Sequence, residues 1–186
     1  MNEEIRTRVV AAADALFYTR GFGKVGMDAV RDAAGVSLRA LYKEFPSKDE
    51  LIAAVLAGRH EMWTKGVEAA VEAISDPVDR LLAVYDFLDD WFRDADFRGC
   101  GFINAFGELG AADPRVAEVV REHKADFQRY LARLAAEAGI PESLAAQLAI
   151  LAEGAQTTAA IADTAEAATQ ARAAAEVLIA AALSDR

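Results

Sequence analysis

With 186 residues, 54% of them apolar and 27% charged, the chain can bury a full core and is excluded from the disordered class, and its 43 alanines favour an all-α fold. The net charge of −10 argues at first against nucleic acid, yet residues 1–48 hold eight basic against six acidic side chains, while the remaining 138 hold 12 against 24. A polyanion would therefore dock on the N-terminal quarter.

The first helix is expected from about Asn2, a candidate N-cap followed by Glu3 and Glu4, to Arg20. Ile5, Val9, Ala12, Ala13, Leu16 and Phe17 recur along it at helical spacing, and Gly21 stops it. A short helix follows from about Met27 to Ala34, ended by Gly35. Ser37 is placed to cap a third, Leu38 to Phe45, which Pro46 cannot continue. Ser47-Lys48-Asp49-Glu50 has the form of a capping box and opens a long fourth helix reaching Ile74.

Asp76-Pro77 and Asp113-Pro114 each read as an N-cap followed by a first-turn proline, opening helices over about 76–94 and 114–138. Between them, the Gly-punctuated stretch Arg98 to Gly110 holds one short helix, Phe102 to Leu109. Gly139-Ile140-Pro141 closes one helix and starts another, with Leu144, Leu148, Leu151 and Ala155 on one stripe; a last helix spans roughly 165–183. No strand pattern or repeat interrupts this series, so nine helices are expected, with residues 1–48 as one domain and 49–186 as a second.

Two short helices joined by Ala34-Gly35-Val36-Ser37 have helix-turn-helix spacing, in which the second helix enters the major groove while the first braces the backbone. Gly35 suits the turn, and Val36 is expected to bury between the helices. Val30, Leu41 and Phe45 can close a small core against the first helix, leaving Ser37, Leu38, Arg39, Ala40, Tyr42 and Lys43 facing outward. Arg39 can fork onto guanine O6 and N7; Lys43, Lys48 and the Tyr42 hydroxyl suit phosphates.

Leu16-Phe17, Gly21, Asp28-Ala29-Val30, Ala33 to Ser37, Leu41-Tyr42, Phe45 and Ser47 to Leu51 together resemble the DNA-binding domain of the TetR family of bacterial regulators. Arg98 to Asn104 is similar to a stretch seen in one branch of that family. The resemblance implies a homodimer that binds a palindromic double-stranded operator, usually to repress, and leaves it when a small-molecule effector enters the C-terminal ligand-binding and dimerisation domain. It also places Ser37, Tyr42 and Lys48 at phosphate contacts and Leu38, Arg39 and Lys43 at variable readout positions. The chain departs from the pattern twice. Val25-Gly26 stands where the family usually has a capping Thr or Ser, and Arg39 where Gly or Pro is frequent.

Other chemistries find no support. Gly21 to Gly26 spells G-x-G-x-x-G, but a dinucleotide fingerprint follows a strand and this one follows a helix. The only histidines, His60 and His123, lack metal-ligand spacing, and no nucleophile elbow surrounds any of the five serines, so neither catalysis, a metal nor a cofactor is expected. The single Cys100 excludes an intramolecular disulfide. The charged start lacks the form of a secretory signal, and no stretch of about 18 residues is both apolar and uncharged, so a cytoplasmic protein with no membrane partner is expected.

The aromatics of the second domain can line an apolar cavity given a few inward polar groups. Trp91, Phe102, Asn104, Phe106 and Gln156 are the expected set, with His123 and Glu108 as further candidates. The Ala-rich last two helices suit close packing, either within the fold or in a two-fold four-helix interface. The alternative to a regulator is a helical small-molecule binding protein that has lost specific DNA binding.

Overall fold

The computed structural model describes residues 3–184, so the expected N-cap Asn2 lies outside the described residues. Among those residues the chain forms nine helices and no strand, the all-α architecture expected. They are α1 (Glu3–Arg20), α2 (Met27–Ala34), α3 (Leu38–Glu44), α4 (Lys48–Glu72), α5 (Pro77–Phe92), α6 (Gly101–Leu109), α7 (Pro114–Glu137), α8 (Glu142–Ala162) and α9 (Glu166–Ser184).

Local chemistry sets most of these boundaries. Ser37 Oγ accepts from Ala40 N–H at 3.2 Å and Ser47 Oγ from Glu50 N–H at 3.1 Å. Asp76 Oδ1 accepts from the amides of Val78 and Asp79 at 2.8 and 3.0 Å, ahead of Pro77, and Asp113 Oδ1 from that of Arg115 at 2.9 Å, ahead of Pro114. α3 stops one residue short of the expected Phe45 because the residue before a proline is driven out of the helical region; Phe45 has φ −134° and ψ 91°. α4 ends at Glu72 rather than Ile74, its last turn tightening into an Ile74 N–H bond to Val71 O at 3.1 Å.

The chain folds into two compact units, Met1–Glu61 with Gly101–Glu122, and Met62–Cys100 with His123–Arg186. In the first, Val9, Ala13 and Phe17 recur every four residues on one face of α1 and are buried with Val30 of α2, Leu41 of α3 and Phe45. Phe22, in the turn after α1, stacks on Phe17 with ring centroids 5.3 Å apart. Leu51, Ile52, Val55 and Leu56 bury the first half of α4, and Phe102 and Ala105 bury one side of α6.

The second unit is organised by α5, whose residues Leu81 to Tyr85 are buried without interruption, together with Leu88 and Phe92. Five buried residues in a row span more than one full turn, so this stretch of α5 is covered on every side. α8 and α9 pack on it and on each other. Their buried faces are largely alanine: Ala145, Ala149, Ala152, Ala155 and Ala159 on α8, and Ala167, Ala168, Ala171 and Ala175 on α9. The Tyr85 hydroxyl donates to the Leu148 carbonyl at 2.8 Å, so this buried polar tip is satisfied.

Tyr85→Phe should lower stability by about 1 kcal/mol, a fall of roughly 2–4 °C in Tm. Burial pushes the Tyr85 phenol far above its ordinary value near 10, so the folded state holds the proton more tightly than the unfolded state. The resulting stabilisation is complete below pH 10 and is lost as pH rises beyond it. Denaturant titrations near pH 8 and pH 11 should show the wild-type advantage over Tyr85→Phe shrinking at the higher pH.

Candidate functional site

The turn between α2 and α3 is built from backbone bonds that need a left-handed residue. Gly35 supplies it, with φ 63° and ψ 40°. Its N–H bonds to Asp32 O and the Val36 N–H to Arg31 O, both at 3.2 Å, the paired closure of a Schellman motif. Val36, expected to bury between the helices, is half-buried. Arg8 of α1 completes the turn from outside. Its Nη2 donates to Ala34 O at 2.6 Å and to Gly35 O at 3.1 Å, satisfying carbonyls that the end of α2 leaves without helical partners. In the sequence Arg8 is only one of eight cations; its partners lie 26 and 27 residues away, beyond any local signal.

From that turn α3 divides its residues by face. Leu41 is fully buried toward α1, which at about 1.5–3 kcal/mol for such a side chain fixes the helix rotation. Leu38 and Tyr42, one turn apart, are 40% and 45% exposed, and Arg39 and Lys43 form a second exposed row beside them. Ala40 is half-buried, and Ser37 is exposed at the N-cap. Ser37 Oγ accepts the Ala40 N–H, which leaves its hydroxyl proton available to an anion. One short surface thus offers an apolar tip, a guanidinium, an ammonium and two hydroxyls, the mixture that reads base edges and backbone.

The remaining cations of this region are held in place to different degrees. Lys48, the first residue of α4, is half-buried; its Nζ lies 5.9 Å above the Phe17 ring and 3.5 Å from Gly23 O. Burial lowers its pKa, while Asp49 and Glu108 oppose the shift. Arg6 lies 4.5 Å above the ring of Phe45. Arg31 bonds Asp32 Oδ1 at 2.9 and 2.7 Å and Asp28 Oδ1 at 2.9 Å. At Gly26, where a capping hydroxyl was noted as missing, α2 starts with no side-chain cap.

The residues expected to hold a small molecule fall in both units. Phe102, Asn104 and Phe106 lie on α6 in the first, where Phe102 is buried, Asn104 half-buried and Phe106 47% exposed. In the second, Trp91 is half-buried near the end of α5, edge-on to Phe97 at 5.2 Å and 6.1 Å from Phe92. Gln156 is buried in the alanine face of α8, where its amide donates to Ala152 O at 3.4 Å.

A cluster that the sequence reading did not group stands in the second unit. Trp63 meets Phe127 at 4.9 Å, His123 at 5.4 Å and Phe87 at 6.3 Å, each nearly perpendicular. The four-residue spacing of His123 and Phe127 on α7 was the available signal. A surface groove of about 280 Å³ between α5 and α9 is lined by Asp86, Asp89, Asp90 and Arg172 among others, and by none of the five expected ligand residues. Of the two further candidates, His123 belongs to the aromatic cluster around Trp63 and Glu108 accepts the Gly23 N–H.

Residues 9–55 match the family described as bacterial regulatory proteins, tetR family, and residues 77–175 match the tetracyclin repressor-like C-terminal domain. The HTH-type transcriptional activator FasR of Mycolicibacterium smegmatis is 35% identical over 119 residues, 64% of this chain and 53% of FasR. The HTH-type transcriptional regulator TtgR of Pseudomonas putida is 29% identical over 127 residues, 67% of this chain and 52% of TtgR. The chain therefore spans about half the length of these relatives. A solved TetR-family transcriptional regulator from Streptomyces coelicolor superposes with a TM-score of 0.90 at 28% identity, covering 96% of both chains. A TetR-type regulator from Streptomyces avermitilis does so with a TM-score of 0.76 at 32% identity, covering 92% of this chain and 98% of its own. Among the described residues no helix is long and apolar enough to cross a membrane. By its two matched domains and the fold it shares with these structures, the chain belongs to the TetR family of bacterial transcriptional regulators, which are DNA-binding proteins and not enzymes.

Proposed function

We propose that the chain is a cytoplasmic, ligand-responsive regulator that binds a palindromic DNA operator as a homodimer and represses until a small apolar or amphipathic effector releases it. The observation that carries this reading is the capped α3, with Leu41 buried and Leu38, Arg39, Tyr42 and Lys43 exposed. Ser37, Tyr42 and Lys48 would hold phosphates, Arg39 and Lys43 would read base edges, and Leu38 and Ala40 would meet thymine methyl groups. In this division of labour residues 1–48 read DNA, while 49–186 bind ligand and dimerise. FasR is an activator by name. We infer repression here because a dimer seated on its operator excludes polymerase with no further contact.

Dimerisation is supported by what α8 and α9 leave uncovered. Ile150 and Ile161 are 69% and 82% exposed on α8, and Val177 is 69% exposed on α9. Positions 150 and 161 lie about three turns apart on one face, with the open Gly154 between them. An apolar stripe of this kind fits a second copy of itself, and a two-fold pair sets two recognition helices about 34–36 Å apart. Effector release is a population shift. Moving from mostly bound to mostly unbound needs about 5.5 kcal/mol of differential affinity. We propose Trp91 and Gln156 as effector contacts within the second unit, and Phe102, Asn104 and Phe106 as candidates within the first.

Selection from a random duplex pool tests the reading directly. It should enrich a palindrome with half-sites about one helical turn apart, and failure to enrich any sequence would favour the small-molecule binding protein instead. Arg39→Ala should lose about 1–3 kcal/mol at a single base pair of the half-site, with little change on unrelated DNA. A uniform loss over all sequences would reassign Arg39 to a phosphate. Ile161→Asp combined with Val177→Asp should give a monomer by light scattering, with far-ultraviolet helicity retained and palindrome affinity reduced at least about tenfold.

A further inference from the structure

The turn between α1 and α2 is held by a side chain 85 residues away. Gly23 donates its N–H to Glu108 Oε2 on α6 at 2.8 Å. The same carboxylate lies against Gly21, whose φ is +96°: a Cβ there would meet Glu108 Oε2 at 2.9 Å and Oε1 at 3.1 Å. Only glycine allows that approach in that conformation. Lys48 closes the group from α4, its Nζ reaching Gly23 O at 3.5 Å. The two polar groups of one peptide-bearing residue are therefore bonded to two different helices. The charge of Glu108 also favours the ammonium of Lys48, against the burial that disfavours it.

α6 is seated at its other end as well. A Cβ on Gly101, its first residue, would lie 3.2 Å from Arg59 Cδ of α4. Arg59 in turn grips both carboxylate oxygens of Asp14 and lies 3.8 Å above the Tyr18 ring, both on α1. At its first residue α6 thus bears on α1 through Arg59. Near its last, through Glu108, it bonds the turn after α1 with no residue of α4 between.

We propose that Glu108 is a positioning residue that couples α6 directly to the DNA-reading head, setting the 21–26 turn and, through Gly23, the place of Lys48. The proposal rests on the regulator reading above and names a route of regulation for it. A displacement of α6 pulls on Gly23 and disturbs both the entry to α2 and a phosphate-contacting lysine. Coupling is reciprocal, so DNA on the head must bias α6 by the same free energy with which α6 biases the head. The route can therefore be tested with DNA as the only ligand.

The experiment is amide hydrogen exchange on the full chain, alone and bound to the duplex enriched by selection, for wild type, Glu108→Ala and Glu108→Gln. In wild type, DNA should slow exchange across residues 102–109. In Glu108→Ala that effect should vanish while DNA still protects residues 37–45, and the Gly23 amide of the unbound protein should exchange about tenfold faster. Glu108→Gln keeps an acceptor oxygen and should restore both behaviours. Equal α6 protection in Glu108→Ala and wild type overturns the proposal, as does a wild type whose α6 ignores DNA. If the alanine variant proves unstable throughout, faster exchange in α5 and α8 will show it, and the glutamine variant then decides: coupling retained supports the proposal, coupling lost overturns it. A wild type that binds no duplex overturns the regulator reading itself, whatever the Gly23 amide does.

Discussion

A left-handed residue at position 35 sets the angle between α2 and α3, and with it everything that α3 can present. The two backbone bonds that close the turn need Gly35 near φ 63°, a conformation that costs a residue with a Cβ about 1 kcal/mol or more. Backbone closure alone would leave carbonyls at the end of α2 facing solvent. Arg8 covers two of them with one guanidinium and ties the turn to α1. An alanine at position 35 would meet both constraints at once, since its Cβ would lie 3.1 Å from Arg8 Nη2.

Once the turn is fixed, packing decides which way α3 faces. Leu41 and Phe45 anchor one side to the core that Val9, Ala13 and Phe17 provide, so Leu38, Arg39, Tyr42 and Lys43 have no choice but the outside. Short helices are marginal in water by themselves. Seven residues hold as α3 because Leu41 and Glu44 are buried, the first turn is capped by Ser37 and the last is stopped by Pro46. Rigidity matters for the proposed readout because base recognition tolerates little error in the placement of its hydrogen-bonding groups.

Most of this framework was readable from the chain because its determinants are local. Ser37, Asp76 and Asp113 cap helices through contacts two or three residues away, and Gly35 and Pro46 act on their own backbone. The outward row of α3 follows from helical spacing and from the apolar residues opposite. What escaped were pairs distant in sequence: Arg8 with Ala34, Glu108 with Gly23, and Arg59 with Asp14 and Tyr18. Nothing in the neighbourhood of an arginine or a glutamate on a helix tells which turn elsewhere it will reach. Glu108 shows the difficulty well, since its residue type suggested a ligand contact while its position makes it a partner of a backbone amide. The half-burial of Val36 was likewise a matter of packing that spacing does not report.

The role of Arg8 also changes how the N-terminal region should behave as a polyelectrolyte. Counterion release on DNA counts only those cations that meet phosphates, each adding about 0.9 to the slope of log K against log salt. Arg8 is turned onto the carbonyls of Ala34 and Gly35, and Arg31 onto Asp28 and Asp32. Both are engaged with dipoles or charges of the protein itself, and while so held would displace no counterion from a duplex. Of the eight basic side chains in residues 1–48, fewer are left for the phosphate backbone than composition indicates. On the proposed reading, the grip on DNA would lean correspondingly on the base-edge contacts of α3, and would weaken less steeply with ionic strength than the arginine and lysine content implies.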